Sequence, residues 1–228
     1  MKKMKWSAIM VPLAVAGFFL RRLVYTAAVD WKNLIVAGHP AVVALWALTA
    51  AALALAAFAG WKQEKEMSFE SRPAAFLGHG LLGVAAAMTV LLNYAPMSGL
   101  LGQLWKLFGI AAPVCLLPAG FDRMRGKKPF FALYIAPCLF FGVHVVVHYQ
   151  LWCSNPQFTD YAFALLASVA LTLYCYQLTA CSVDMSDRRM LVMTSLAAVY
   201  LCSAELAAGG YPYLYLAGVL FCLTNRND

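Results

Sequence analysis

Long apolar runs, each closed by a charged or turn-forming stretch, recur along the whole chain. They fall at 7–28, 39–60, 73–93, 98–119, 129–150, 160–181, 190–208 and 211–224. Most hold the roughly 20 residues that a helix needs to cross the hydrocarbon core of a bilayer. The runs are continuous, so they lack the period-two alternation of a membrane β-barrel. Helices satisfy their own backbone, which hydrocarbon demands. The pattern therefore predicts an all-α, polytopic membrane helix bundle of eight transmembrane helices, forming one membrane domain over residues 1–228. The last run, Tyr211 to Thr224, is short, and the count becomes seven if it does not cross. The first run opens like a secretory signal, with Lys2, Lys3 and Lys5 before apolar residues. Arg21 and Arg22 stand where a small-residue cleavage site would be, so the run reads as a retained anchor.

Pro12, Pro113 and Pro137 lie inside predicted spans, and each removes a backbone donor, so local kinks are expected there. The second span holds ten alanines between Ala41 and Ala59, and the third opens with Gly78, Gly80 and Gly83. Small residues let helices approach closely, which makes these two spans the predicted packing centre of the bundle.

Composition agrees with the pattern. The chain is 63% hydrophobic and 12% charged, against roughly 45–50% and 25% in soluble domains. That excludes a soluble enzyme, a DNA-binding module and a secreted disulfide scaffold. The formal charge of +7 is no nucleic-acid signal, because the basic residues sit singly or in small groups beside span ends. They set orientation instead, since Lys and Arg are retained on the cytoplasmic side. With the amino terminus inside, 13 of the 17 fall in the cytoplasm: Lys2, Lys3, Lys5, Lys62, Lys65, Arg72, Arg123, Arg125, Lys127, Lys128, Arg188, Arg189 and Arg226. Arg21, Arg22, Lys32 and Lys106 disagree. Both termini are thus expected to be cytoplasmic. The group Arg123, Arg125, Lys127 and Lys128 reads as a topology determinant that can also touch anionic lipid headgroups. The seven cysteines follow no metal spacing, and only a Cys153–Cys202 bridge is worth considering as a disulfide.

Ionisable residues inside a span cost about 2.5–3.5 kcal/mol on insertion scales, so each needs a partner, a cavity or an escape to the interface. Arg21, Arg22, Asp30, His39, Asn93, Lys106, His144, His148, Asp160 and Glu205 gather toward the outward ends of the spans. His144 and His148, four residues apart, share one helical face. They could hold zinc or copper, although Val145 stands where the usual helical zinc motif has glutamate. The plainer reading is a pair of interfacial imidazoles bonded to water or carbonyls, and a proton relay is a third. No cofactor is otherwise predicted. Glu205 is the most costly carboxylate, to be paired with Lys106, Arg21 or Arg22 or else carried to the interface. Positive charge at Arg21 and Arg22 is to be offset by Asp30 and headgroups. Ser168, Thr172, Cys175 and Thr179 form one face of the sixth span, and such a face usually is a hydrogen-bonding seam. His79 among glycines reads as a satisfied packing residue.

The segment Arg22-Leu-Val-Tyr25 through Asp30 to Gly38-His39-Pro40, with Ser154-Asn-Pro156-Gln157 and Asp160-Tyr161, resembles stretches of multi-spanning bacterial membrane proteins without assigned function. The resemblance implies a bacterial inner-membrane location and carries no activity, cofactor or catalytic residue. No Walker loop, nucleophile elbow, aspartate-rich metal motif or internal repeat is present in the sequence. Three functions follow as expectations. The first is a small solute carrier or membrane-embedded binding component, with Arg21, Arg22, Asp30, Lys106, His144, His148 and Glu205 as ligand or ion-path candidates and a cavity lined by His144, Glu205 and Lys106. The second is an accessory or sensor subunit without catalysis and with an unknown protein partner. The third is an intramembrane metal-dependent enzyme at the outer leaflet, using His144 and His148, and of the three the enzyme is the least favoured.

Overall fold

A computed structural model describes residues 6–30, 34–64, 71–92, 99–153 and 157–225. Lys2, Lys3, Lys5, Lys32, Lys65, Asn93, Ser154, Pro156 and Arg226, used above, lie outside the described residues. The described chain is all-α, with eight α-helices in the predicted order: α1 Trp6–Ala27, α2 Pro40–Trp61, α3 Pro73–Leu92, α4 Leu100–Met124, α5 Ile135–Trp152, α6 Phe158–Ser182, α7 Arg188–Glu205 and α8 Pro212–Asn225. Six of the apolar helical segments are long and apolar enough to cross a membrane. The exceptions are α7, of 18 residues with Arg188, Arg189 and Glu205 in its sequence, and α8, of 14 residues. At 1.5 Å per residue α8 spans only about 21 Å.

One predicted span is shorter than its apolar run. The chain from Phe131 to Tyr134 forms a single 3-10 turn and α5 begins at Ile135. Pro137 therefore sits in the first turn of α5, where the missing N–H would have had no helical partner anyway. By contrast, Pro12 lies inside α1, and Pro113 and Pro118 lie inside α4.

Buried positions on the helices step by three and four. On α1 they are Trp6, Met10, Ala14, Gly17, Arg21 and Val24. On α4 they are Gly102, Trp105, Gly109, Ala112, Leu116, Ala119, Gly120 and Arg123. These stripes are the seams by which the helices meet. The opposite faces carry exposed Phe19, Leu77, Leu92, Leu107 and Val114, as suits helices whose outer surroundings are apolar.

The packing centre differs from the predicted one. Helix α7 packs against α1, α2, α6 and α8, whereas α2 packs against α1 and α7, and α3 against α4 and α8. Twelve of the 18 residues of α7 are buried. The physical reason is polarity: α7 carries Thr194, Ser195, Tyr200, Ser203 and Glu205, and a helix with that many polar groups is enclosed by its neighbours, while alanine-rich α2 tolerates exposure. Close approach does occur at the glycines of α3. A Cβ on Gly83 would stand 2.7 Å from Cα of Pro113 on α4.

The helices alternate in direction, and side-chain contacts define two ends. At one end Arg189 Nε donates to the Gln63 carbonyl at 3.0 Å, Arg72 N–H to the Arg123 carbonyl at 3.2 Å, and Lys128 pairs with Asp184 at 2.5 Å. The start of α1 and the finish of α8 lie there too, with Trp6 packed edge-on against Phe58 and the Asn225 carbonyl bound by Arg123. At the other end Gln157 clasps the backbone of Ile35, accepting from its N–H at 2.9 Å and donating to its carbonyl at 3.3 Å.

Candidate functional site

The second end holds most of the polar groups singled out in the sequence, and the structure sorts them into two neighbouring clusters. The first is built on Arg21 near the C-terminus of α1. Its Nη2 donates to Glu205 Oε2 at 2.9 Å, to the Asp160 carbonyl at 3.0 Å and to Tyr25 Oη at 3.0 Å. Tyr25 in turn donates to Asp160 Oδ1 at 3.1 Å. The guanidinium carbon lies 4.4 Å from the ring centre of Phe163, a cation–π contact that covers its flat face. Arg21 is 1% exposed and Glu205 4%, so this is a buried ion pair tying α1 to α7 and α6, whereas Asp160 is exposed. Of the three cations offered for Glu205, Arg21 is the one in register, on the buried stripe of α1.

The second cluster surrounds the histidines of α5. Their rings lie 3.9 Å apart, centre to centre. Nδ1 of His148 faces the His144 carbonyl at 2.9 Å, which can only accept, so that nitrogen carries the proton. Nε2 of a neutral His148 is then the acceptor for the Tyr211 hydroxyl at 2.7 Å. Trp105 of α4 donates its indole N–H to Nδ1 of His144 at 3.2 Å. Indole only donates, so the neutral His144 ring holds its proton on Nε2, a buried atom with no hydrogen-bond partner among the described residues. Trp105, Phe140 and Trp152 wall the pair. Trp152 also stacks on Tyr161, which follows Asp160, so the two clusters adjoin.

This arrangement bears on the metal reading. A metal takes a ring-nitrogen lone pair, and the lone pairs of His144 and His148 face the donors of Trp105 and Tyr211. A zinc or copper ion bound by this pair would have to displace both hydrogen bonds, and no group of three or more potential metal ligands occurs among the described residues.

The remaining candidates lie apart. Lys106 is exposed and lines a small recess of about 170 Å³ with Val90, Leu91 and Ile110, on a different face of α4 from the Trp105 contact. The expected meeting of His144, Glu205 and Lys106 is therefore not formed, because adjacent residues 105 and 106 point about 100° apart on a helix. Arg22 is exposed. Asp30 accepts from the Leu34 N–H at 2.8 Å and shapes the α1–α2 connection, in which Val29 and Ile35 form an isolated antiparallel bridge. His39 caps α2, its Nδ1 accepting from Ala41 N–H. Cys153 is exposed and Cys202 buried, and both are free thiols, so the considered bridge is absent.

Sequence reasoning missed Arg123. It is completely buried rather than at a headgroup surface, and its Nη2 donates to the Asn225 carbonyl at 3.3 Å, where the negative end of α8 receives a cation. Its place on the stripe Gly109, Ala112, Leu116, Ala119, Arg123 was the available signal. His79 nearby is satisfied, with Nδ1 at 2.7 Å from the Ala75 carbonyl and Nε2 at 3.0 Å from Tyr134 Oη. The sixth-span stripe bonds largely to its own helix: Ser168 to Ala164, Thr172 to Ser168 and Thr179 to Cys175, with Tyr215 joining Ser168 from α8 at 3.3 Å.

Comparison with protein-family models, curated proteins and solved structures finds no match for the chain.

Proposed function

We propose that the chain is a multi-pass integral membrane protein of a bacterial cytoplasmic membrane, acting as a small solute carrier or membrane-embedded binding component. The observation that carries this reading is the buried Arg21–Glu205 ion pair, joined to exposed Asp160 through Tyr25, at one end of a largely apolar bundle. A charged side chain within such a bundle marks a functional site by default, because apolar packing alone would be cheaper.

Orientation is supported by charge. Lys62, Arg72, Arg123, Arg125, Lys127, Lys128, Arg188 and Arg189 lie at the end that holds the start of α1 and the finish of α8. Arg21, Arg22 and Lys106 lie toward the other. Under the basic-residue rule the termini face the cytoplasm and the Arg21 cluster faces outward. Exposed Arg125 and Lys127 then sit where anionic headgroups are found.

The test is a thermal-shift screen of small organic anions, cations and zwitterions on the purified chain, followed by uptake of the stabilising compounds into proteoliposomes. The expected result is one solute class that raises the unfolding temperature of wild type and fails to do so for Arg21→Lys. Absence of any stabilising solute, together with stoichiometric co-purification of a single protein, would replace this reading with the accessory-subunit one.

A further inference from the structure

Arg21 stands between two carboxylates of unequal surroundings. One Nη2 contacts Glu205 Oε2 at 2.9 Å, and the same nitrogen reaches Tyr25 Oη at 3.0 Å, which is 3.1 Å from Asp160 Oδ1. Glu205 is buried, while Asp160, in the first turn of α6, is exposed. Among the described residues, the titratable groups near enough to act on Glu205 are Arg21 and Tyr25 from α1, Asp160 from α6, Cys202 on its own helix and Tyr215 from α8. Helix α2 adds none to this set, its His39 being engaged with Ala41.

We infer that Glu205 is a proton-binding site and that Arg21 changes its carboxylate partner, from Glu205 to Asp160, when the proton arrives. The inference rests on the binding-component reading and deepens it by naming the proton as the coupling ion. Two carboxylates lie around one guanidinium, so protonation of one leaves the cation to the other. Exposed Asp160 marks the aqueous end of the cluster, and the proton reaches Glu205 from there as Arg21 moves aside, because a guanidinium has no lone pair with which to relay it. On arrival it forms an O–H bond on Glu205, the Nη2–Oε2 ion pair is lost, and no electrons move. Arg21 would then be a buried cation facing a neutral acid, a costly state. It already donates to the Asp160 carbonyl at 3.0 Å, and displacing Tyr25 Oη brings it to the Asp160 carboxylate. The tie from α1 to α7 is thereby exchanged for one from α1 to α6, which couples protonation to the relative placement of three helices.

The experiment is infrared difference spectroscopy on the full chain in lipid nanodiscs, stepped across about pH 4 to 9. Wild type is expected to develop the band of one buried carboxylic acid on acidification, and Glu205→Gln to lack it. In Asp160→Asn the midpoint should move down by about one pH unit, because the second negative charge and the alternative partner are both removed. A band that persists in Glu205→Gln, or a midpoint that stays or rises in Asp160→Asn, overturns the inference. If Glu205→Gln fails to fold, Asp160→Asn alone decides, being an exposed change. Failure here leaves solute binding in the thermal-shift screen untouched, and failure of that screen leaves the band untouched, so the two readings fall separately.

Discussion

Trp105 and His144 meet across the α4–α5 interface through a single hydrogen bond of 3.2 Å that fixes which imidazole nitrogen carries the proton. Trp105→Phe keeps the aromatic wall and leaves Nδ1 of His144 a buried acceptor without a donor. The cost of such an orphan is about 1–3 kcal/mol, so the unfolding temperature in detergent should fall. Trp105→Phe combined with His144→Phe removes both polar partners and should be less destabilised than the sum of the single changes. Strict additivity in this double-mutant cycle would show that the bond contributes nothing.

Much of this architecture was legible beforehand because long apolar helices impose so strong a pattern. The ends of α2 and α3 fall within two residues of the apolar runs that predicted them. The 3-10 turn at Phe131–Tyr134 was not legible, since an apolar sequence does not distinguish a helix from the irregular turn that precedes it. The sequence leaves Glu205 either at the interface or paired with one of three cations, and the choice of Arg21, 184 positions away, depends on α1 packing against α7. The charged neighbours of Arg123 in sequence make it read as a topology determinant at a span end, although its three-and-four spacing from Gly109, Ala112, Leu116 and Ala119 places it on the seam. Periodicity outranked local charge there. The contact between Trp105 and His144 lay beyond sequence reasoning, because it needs the relative depth of two helices.

The α3–α4 seam gives a sharp steric test. A Cβ on Gly83 would press at 2.7 Å on the backbone of Pro113, which cannot rotate away, whereas a Cβ on Gly80 would meet only Leu117 Cδ2 at 3.5 Å. Gly83→Ala should destabilise by about 1–3 kcal/mol through forced separation of the helices. Gly80→Ala should be close to neutral or slightly stabilising, since alanine favours the helix. Equal unfolding temperatures for the two variants would show that α3 and α4 are not this close.

Arg123 and Arg125 separate capping from topology. Arg123 binds the last carbonyl of α8, and hydrogen bonds to charged groups contribute about 1.5–3 kcal/mol. Arg123→Met should therefore lower stability clearly. Arg125 lies 4.0 Å over the Phe121 ring on an exposed face, and Arg125→Met should change stability by no more than about 0.5 kcal/mol. Both variants remove one basic residue from the same end, so a shared role in orientation alone predicts the same small effect for each.

The Arg21–Glu205 pair should behave as buried ion pairs do, with half a pair worse than none. Glu205→Ala strands the guanidinium and should cost about 3–5 kcal/mol, whereas Arg21→Met with Glu205→Leu should recover most of the loss. The measurement is thermal or chemical unfolding of the purified variants side by side. A double variant as unstable as Glu205→Ala would mean that the surrounding Tyr25, Asp160 and Phe163 require the cation itself.

Cysteine labelling tests which end faces out. Cys153 is exposed at the end that holds the Arg21 cluster, while Cys115 and Cys138 are half-buried and Cys175, Cys181, Cys202 and Cys222 are buried. A membrane-impermeant maleimide applied to intact spheroplasts should modify one thiol per chain, and Cys153→Ser should abolish the modification. The half-buried pair gives an internal control, because both lie within long apolar helices. Labelling that appears only after the membrane is opened would place Cys153 on the cytoplasmic face. The eight basic residues at the opposite end would then face outward, and the orientation drawn from charge would be reversed, with the Arg21 cluster facing the cytoplasm.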